Sequence, residues 1–280
     1  MADASLTHDV WLERVPDLVA ECVEEWGLAL GEPYVAGAAG YTVRADLADG
    51  TPAVLKVIYP HREAEHEAEA LRLWDGNGAV RLLAYDDARW AMLLERCEPG
   101  TLLATTDAEG VLDVFVELLP RLWQQAGAPF MRLADEARWW IDYLPGEWER
   151  AGRPFGQDIL DAAIERLRAL VDTQGEQVLL HQDLHADNVI AAEREPWLAI
   201  DPKPLVGERE FSVAPIVRDA ELGHSRKHVL HRLDRLTSEL GLDRDRARDW
   251  TIGQTIAWSL DTSYLPKHVE TVQWLLEDAE

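Results

Sequence analysis

The chain has 280 residues, of which 47% are hydrophobic and 28% charged, a composition typical of a globular protein with one large domain or two closely joined ones. Its formal net charge of −25 argues against nucleic acid and anionic membrane surfaces as partners, because like charges repel. The same charge favours a cationic ligand, although a solvated acidic surface would produce it equally well. Two cysteines without disulfide or zinc spacing, no apolar run of membrane-spanning length and no signal-peptide pattern predict a cytoplasmic protein.

The first third of the chain predicts a small mixed sheet with one crossing helix. Apolar residues recur at helical spacing over residues 9–29, where Pro16 marks a break or a first turn. A second helix, rich in Glu and Ala, is predicted over residues 63–74. The predicted strands are 34–36, 41–45, 53–59, 80–86 and 90–95.

Beyond Glu98-Pro99-Gly100 the pattern becomes helical, apart from one strand-like segment at 178–201. The predicted helices are 107–126, 135–151, 157–173, 227–240, 243–261 and 266–278. We therefore predict an α+β protein with a bilobal protein-kinase-like fold. Its small β-rich N-lobe would comprise residues 1–97, and its larger, mainly helical C-lobe residues 98–280.

Residues 181–201 read HQDLHADNVIAAEREPWLAID, with Asp183, Asn188 and Asp201 in that order. Phosphoryl transfer needs a carboxylate beside the attacking hydroxyl, and an amide and a second carboxylate to hold magnesium across the triphosphate. We expect the apolar strands on either side to form one hairpin with these three residues at its end. HQDLH could also suggest a zinc site, but the sequence offers no further ligands at suitable spacing.

This loop resembles the catalytic loop of the aminoglycoside phosphotransferases. LAIDPKPLVGERE narrows the resemblance to the streptomycin 6-phosphotransferase branch, which is grouped with hydroxyurea-resistance kinases. LRLWDGNGAVRLLAYD and LLERCEPGT add to it in family order, so that it covers about residues 34–265. The resemblance implies a kinase-like fold, ATP as donor, Mg²⁺ and a small hydroxyl-bearing acceptor, often an antibiotic.

Carried over from the family, Asp183 is expected to be the catalytic base and Asn188 and Asp201 the magnesium ligands. His181 is expected to brace the loop. The loop departs from the family pattern at Gln182 and Asp187, where glycine is usual.

The resemblance also assigns residues to the nucleotide. Lys56 is expected to contact the α- and β-phosphates and to be held by an acidic partner on the following helix. Glu67 fits the family's spacing best, with Glu63 as the alternative. The strand that ends near Glu95 is expected to lead into a hinge through Cys97, whose backbone groups would bind the adenine edge.

Helices near the C-terminus build the acceptor pocket in similar kinases. The candidate acceptor residues are Glu208, Asp219, Glu221, Trp258 and Asp261. The carboxylates would bind a cationic group of the acceptor through charge-assisted hydrogen bonds.

The sequence thus predicts a monomeric kinase that phosphorylates streptomycin or another aminoglycoside and confers antibiotic resistance. Alternatives are a kinase of hydroxyurea or of a non-antibiotic metabolite, and a catalytically inactive kinase-like binding protein. A protein kinase proper is disfavoured, because Asp201-Pro202-Lys203 stands where Asp-Phe-Gly would be needed.

Overall fold

The computed structural model describes residues 7–34, 40–260 and 262–279. The described chain folds into two compact units, one from residues 1–101 and 190–200, the other from residues 102–189 and 201–280. Both helices and strands are present, as an α+β fold requires. The lobes expected at 1–97 and 98–280 stay a prediction, and the compact units differ from them in that residues 190–200 belong to the first unit.

The helices are α1 (His8–Trp26), α2 (Glu67–Trp74), α3 (Ala108–Leu122), α4 (Leu133–Arg150), α5 (Gln157–Val171), α6 (Ala214–Arg218), α7 (Arg226–Leu240), α8 (Arg244–Ala257) and α9 (Leu265–Glu277). The strands are β1 (Ala29–Pro33), β2 (Gly40–Asp46), β3 (Pro52–Ile58), β4 (Leu82–Asp86), β5 (Ala91–Glu95), β6 (Pro99–Leu102), β7 (Met131–Arg132), β8 (Val178–Leu180), β9 (Val189–Ala192), β10 (Trp197–Ala199) and β11 (Leu205–Gly207). None of the described helices is both long and apolar enough to cross a membrane.

The first unit is built on an antiparallel sheet of order β1-β2-β3-β5-β4. Side chains alternate between the two faces of a strand, so Leu55 and Val57 of β3 share one face and Lys56 takes the other. The apolar stripe of α1 packs with Leu55 and Val57 in one core cluster, which includes Trp11 and Cys22. Because α1 covers that face, Lys56 projects from the opposite one.

The start of the chain differs from the sequence prediction in two ways. Helix α1 runs through Pro16 without a break, between the Thr7 cap and Gly27 in the left-handed conformation. The carbonyl that Pro16 leaves without a partner belongs to Leu12, which is exposed to solvent. The first strand is β1 instead of residues 34–36: Tyr34 lies outside it, and residues 35 and 36 are outside the described residues.

The prediction that the strands on either side of the Asp183 loop form one hairpin is wrong. Strand β8, before the loop, pairs with β11, whereas β10, after the loop, belongs to a sheet of order β10-β9-β6. In the second unit β11 also pairs in parallel with the two-residue strand β7. Strands β6, β7 and β11 were missed by the sequence prediction because they are too short to show a period of two residues.

Helix α8 forms the centre of the second unit, and most of its residues from Trp250 to Ile256 are buried all round. It packs closely on α5: a Cβ at Gly253 would lie 2.4 Å from a methyl group of Leu167. Arg232 of α7 is equally buried and donates hydrogen bonds to the carbonyl oxygens of Val217, Leu222 and Gly223 at 2.9–3.1 Å. These bonds fix the backbone between α6 and α7.

Candidate active site

A buried ion pair lies on the face of the first sheet that α1 leaves open. Lys56 Nζ donates to Glu67 Oε1 at 2.6 Å, and the two residues are 8% and 3% exposed. Glu67 is the first residue of α2, whereas Glu63 lies in the preceding 3-10 turn, Arg62–Ala64. Of the two acidic partners considered for Lys56, the structure pairs it with Glu67, and the ammonium group is thereby fixed on the sheet.

The side chain of Glu95 is bound within the first unit. Arg194 donates to both carboxylate oxygens, at 2.6 and 3.2 Å, and the Arg81 backbone N–H donates to Oε1 at 3.0 Å. The carboxylate therefore holds the turn that carries Arg194, and any contact of Glu95 with a nucleotide would come from its backbone. Burial raises the pKa of the nearby Cys97 thiol to about 12, with the charge of Glu95 adding to the shift, so this thiol stays protonated at neutral pH.

In the second unit, the loop after β8 is held by backbone hydrogen bonds. The His181 carbonyl accepts from the N–H groups of Asp183 at 2.8 Å and Lys203 at 3.0 Å, which joins the loop to the segment after Asp201. Gln182 has φ 65°, the left-handed conformation that glycine adopts most readily. Its carbonyl accepts from Gln254 Nε2 at 2.9 Å, so α8 holds the loop at this left-handed residue.

The carboxylate of Asp183 is paired with a lysine. Lys203 Nζ lies 3.1 Å from Asp183 Oδ2 and 4.6 Å from the centre of the Trp258 ring. The guanidinium of Arg218 lies 5.1 Å from the centre of the same ring and also interacts electrostatically with Asp183. Trp258 therefore brings two cations together beside the predicted catalytic aspartate.

The predicted magnesium ligands have the donor chemistry that Mg²⁺ prefers. Asn188 Nδ2 donates to the Asp183 carbonyl at 2.8 Å, which directs the amide oxygen of Asn188 away from that carbonyl and leaves it available as a ligand. Asp201 is exposed, at φ 56°, two residues after the end of β10. Among the described residues no three His, Cys, Asp or Glu side chains converge as a metal site.

Acidic and aromatic side chains from separate elements converge near this loop in the second unit. Asp219 Oδ1 accepts the Glu221 N–H at 2.9 Å, and Glu221 Oε1 accepts the Tyr264 hydroxyl at 2.9 Å. Tyr264 also interacts electrostatically with Asp187, and Asp219 with His185. Burial raises the pKa of Asp219. Of the predicted acceptor residues, the structure thus brings Asp219 and Glu221 together around Tyr264.

Glu208 does not join this group. It is 1% exposed, and its carboxylate accepts hydrogen bonds from Arg246, the Trp250 indole N–H and the Gly175 backbone N–H. A carboxylate bound by so many donors in the interior has a structural role, and we exclude Glu208 from the acceptor candidates. Asp261 lies outside the described residues.

Sequence reasoning assigned no role to Lys203, Arg218 or Tyr264. Lys203 did carry a signal: the chain has four lysines, and this one stands two positions after Asp201. Arg218 and Tyr264 carried none, because only the folded backbone brings them to the loop.

A lysine of an antiparallel sheet paired with a glutamate of the following helix, and an Asp-x4-Asn loop in a helical unit, are typical of kinases with the protein-kinase-like fold. Among solved structures, choline kinase LicA from Streptococcus pneumoniae superposes with a TM-score of 0.68 at 14% identity, covering 95% of this chain and 99% of that one. Aminoglycoside phosphotransferase APH(4)-Ia superposes with a TM-score of 0.64 at 14% identity, covering 94% and 98%. These likenesses confirm the predicted fold class.

The chain belongs to the aminoglycoside/hydroxyurea antibiotic resistance kinase family, whose profile matches residues 31–261. It is 38% identical to a hydroxyurea phosphotransferase of Kitasatospora aureofaciens over 273 residues, which cover 96% of this chain and 76% of that protein. It is 36% identical to a streptomycin 6-kinase of Streptomyces griseus over 278 residues, which cover 95% and 90%. The resemblance identified from the sequence is confirmed: the chain is a small-molecule phosphotransferase, and a kinase of this family takes its phosphoryl group from ATP.

Proposed function

We propose that this kinase is magnesium-dependent and phosphorylates a hydroxyl group of a small cationic molecule, streptomycin or another aminoglycoside, and so confers antibiotic resistance. The observation that carries the proposal is the loop in which the Asn188 amide is bonded to the Asp183 carbonyl and the Asp183 carboxylate is partly exposed. The identity with streptomycin 6-kinase along nearly the whole chain supports the choice of acceptor.

In the proposed reaction, Asp183 orients the acceptor hydroxyl and receives its proton. The acceptor oxygen forms a bond to the γ-phosphorus while the bond from that phosphorus to the β–γ bridging oxygen breaks, and ADP leaves with the electron pair. One carboxylate oxygen of Asp183 contacts Lys203, so the other is available to the hydroxyl. Positioning and charge stabilisation supply most of the rate in this chemistry, which is why a rigid loop matters.

Residues predicted from the family are our candidates for holding the nucleotide and its metal. We assign the α- and β-phosphates to Lys56, because Glu67 fixes its ammonium and a buried lysine needs anionic partners. Asn188 and Asp201 would hold Mg²⁺, which when bound neutralises the charge that develops on the phosphate oxygens. The backbone around Glu95 and Cys97 remains our candidate for binding adenine.

The acceptor would be bound by Asp219, Glu221 and Asp187, with Tyr264 and Trp258 providing aromatic surface. Carboxylates around a tyrosine suit guanidinium or ammonium groups, which combine charge-assisted hydrogen bonds with cation–π contact. Lys203 and Arg218 already lie against the Trp258 ring, so we assign the cationic end of the acceptor to the carboxylates around Tyr264.

The proposal also covers the two lobes, the cellular compartment, the oligomeric state and a second acceptor. We propose residues 1–97 as the nucleotide lobe and 98–280 as the catalytic and acceptor lobe. We further propose a cytoplasmic monomer that binds neither nucleic acid nor membranes, which the net charge of −25 supports. Hydroxyurea is a second candidate acceptor, favoured by the 38% identity to hydroxyurea phosphotransferase.

The test is a coupled assay of ADP release with magnesium-ATP against streptomycin, other aminoglycosides, hydroxyurea and simple amino sugars. Asp183→Asn removes the proposed base without changing its size, and Asp161→Asn on the exposed surface of α5 removes an equal charge as control. We expect streptomycin-dependent ADP release that D161N retains and D183N loses by a factor of about 10²–10⁴.

Other outcomes decide between the alternatives. Release that depends on hydroxyurea alone would reassign the acceptor. Background ATP hydrolysis lost in D183N, without any acceptor effect, would retain the kinase and reject the antibiotic. Nucleotide binding with no turnover at all would support an inactive binding protein.

A further inference from the structure

Lys203 is fixed to the Asp183 loop at both its backbone and its side chain. Its N–H donates to the His181 carbonyl at 3.0 Å, and its ammonium lies 3.1 Å from Asp183 Oδ2. The same ammonium lies 4.6 Å from the centre of the Trp258 ring, within the range of a cation–π interaction. Both attractions act on one atom, so its position beside Asp183 is well determined.

The ammonium is also accessible. The side chain of Lys203 is 30% exposed and that of Asp183 17%, so a ligand that reaches the carboxylate can reach the ammonium as well. An ammonium has three N–H donors, so it can contact a second anion while it is bound to Asp183 Oδ2. Arginine would present a fixed planar fork, whereas the compact ammonium can share its donors between a carboxylate and a second anion.

Arg218 adds a second positive charge at this point. It is 8% exposed, and its Nη1 atom is buried without a hydrogen-bond partner in the described part of the chain. Burial lowers its pKa to about 10, so the guanidinium remains charged at neutral pH. A buried cation without a hydrogen-bonded carboxylate is costly, and an anion bound close to it would offset part of that cost.

Resting on the proposed phosphotransferase function, we propose that Lys203 is a further catalytic residue, whose ammonium donates hydrogen bonds to the phosphoryl group during transfer. Asp183 and Trp258 hold the ammonium in place, and Arg218 adds positive charge behind it. The transferred phosphoryl group is the anion that these two cations would bind.

The reaction itself limits how far the phosphoryl group can be from Lys203. The attacking oxygen must lie within hydrogen-bond distance of Asp183 and roughly 3–3.5 Å from the phosphorus. A cation bound to the other oxygen of the same carboxylate is then within a few ångströms of the non-bridging phosphate oxygens. The acceptor proton goes to Asp183, and the lysine contributes only charge and hydrogen bonds.

The test compares Lys203→Met, Lys203→Arg and, as control, Lys267→Met at an exposed lysine of α9. Turnover with magnesium-ATP and streptomycin is measured with the KM of each substrate. Independently, calorimetry without acceptor gives the affinity for magnesium-ADP alone and with aluminium fluoride, which mimics the phosphoryl group in transfer. Melting temperatures establish that each variant is folded.

We expect K203M to lower kcat by about 10²–10³, as the loss of one donor to a transition-state oxygen does elsewhere, with both KM values little changed. The ratio of the affinity for magnesium-ADP with aluminium fluoride to the affinity for magnesium-ADP alone should fall by a similar factor. K203R should restore part of kcat and part of this ratio, and K267M should resemble wild type. If K203M lowers kcat but keeps the wild-type ratio, the lysine only positions Asp183 and the proposal fails.

A K203M variant with full kcat and a lower KM for streptomycin would also overturn the proposal, because Lys203 would then occupy the place of an acceptor cation. Failure of the proposed function has a different signature: wild-type protein that binds no ADP and turns over no acceptor.

Discussion

The ion pair between Lys56 and Glu67 makes a quantitative prediction about stability. Both residues are at least nine-tenths buried, and 2.6 Å separates their charged atoms. Glu67→Ala would leave the ammonium in the interior without its carboxylate, and breaking such a pair costs about 3–5 kcal/mol. Glu67→Gln retains an oxygen that accepts a hydrogen bond and should cost less, about 1–3 kcal/mol.

Replacing both partners separates the cost of an unpaired charge from the worth of the pair. The double variant K56M/E67M removes both charges and fills their volume with apolar atoms, so it should recover most of the stability that E67A loses while remaining inactive. Glu65→Gln, at an exposed position just before α2, removes the same charge and should change stability by less than about 0.5 kcal/mol.

Urea denaturation followed by tryptophan fluorescence measures these differences, since Trp74 lies in the same helix as Glu67. The KM for ATP should rise in E67Q, where the negative charge that fixes the Lys56 ammonium is lost. An E67A protein within 1 kcal/mol of wild type would refute the reasoning, because the ammonium would then have found solvent or another anion.

Three further predictions concern buried groups. Burial, together with the charge of Arg218, lowers the pKa of His268 from 6.5 to about 4, so between these pH values the unfolded chain binds a proton that the folded chain does not. The free energy of unfolding should therefore fall by up to about 3 kcal/mol as the pH drops from 6.5 to 4. Thermal melts across that pH range should show a smaller fall in H268N. Burial raises the pKa of Cys22 to about 11 and that of Cys97 to about 12, so a thiol reagent at pH 8 should label the native protein slowly and the urea-unfolded protein at once. Glu208→Gln should cost about 2–3 kcal/mol in urea titrations yet leave the KM for streptomycin unchanged, whereas a raised KM would return Glu208 to the acceptor site.

The sequence predicts the long elements of this fold well, and the reason is periodicity. Helices α3, α5, α7 and α9 show several turns of apolar spacing, and their observed bounds lie within a few residues of the expected ones. Strands of two to four residues show no measurable period. Pro16 misled in another way: it stands inside α1, and the Leu12 carbonyl that loses its helical donor belongs to an exposed residue, where water can bind it.

The residues of the candidate site also differ in how far the sequence predicts them. The Asp183 loop and the Lys56–Glu67 pair follow from short-range spacing and from family resemblance. The group around Tyr264 does not, because its members come from three separate segments that only the folded chain brings together. No sequence signal indicated the buried contacts of Glu208, because its partner Arg246 stands 38 positions later in the chain.

The buried arginine of α7 has a consequence for how this family can diversify. Arg232 donates hydrogen bonds to carbonyl oxygens at the two ends of the segment between α6 and α7, and every amino acid supplies a carbonyl oxygen. Its charge also interacts with Asp219. The path of that segment therefore depends on Arg232 and on the Asp219 carboxylate, which accepts the Glu221 N–H. The side chain of Glu221 is not one of these supports, so it can be exchanged without rebuilding the backbone. A kinase built this way can acquire a new acceptor through single substitutions, each tested by selection on an intact scaffold.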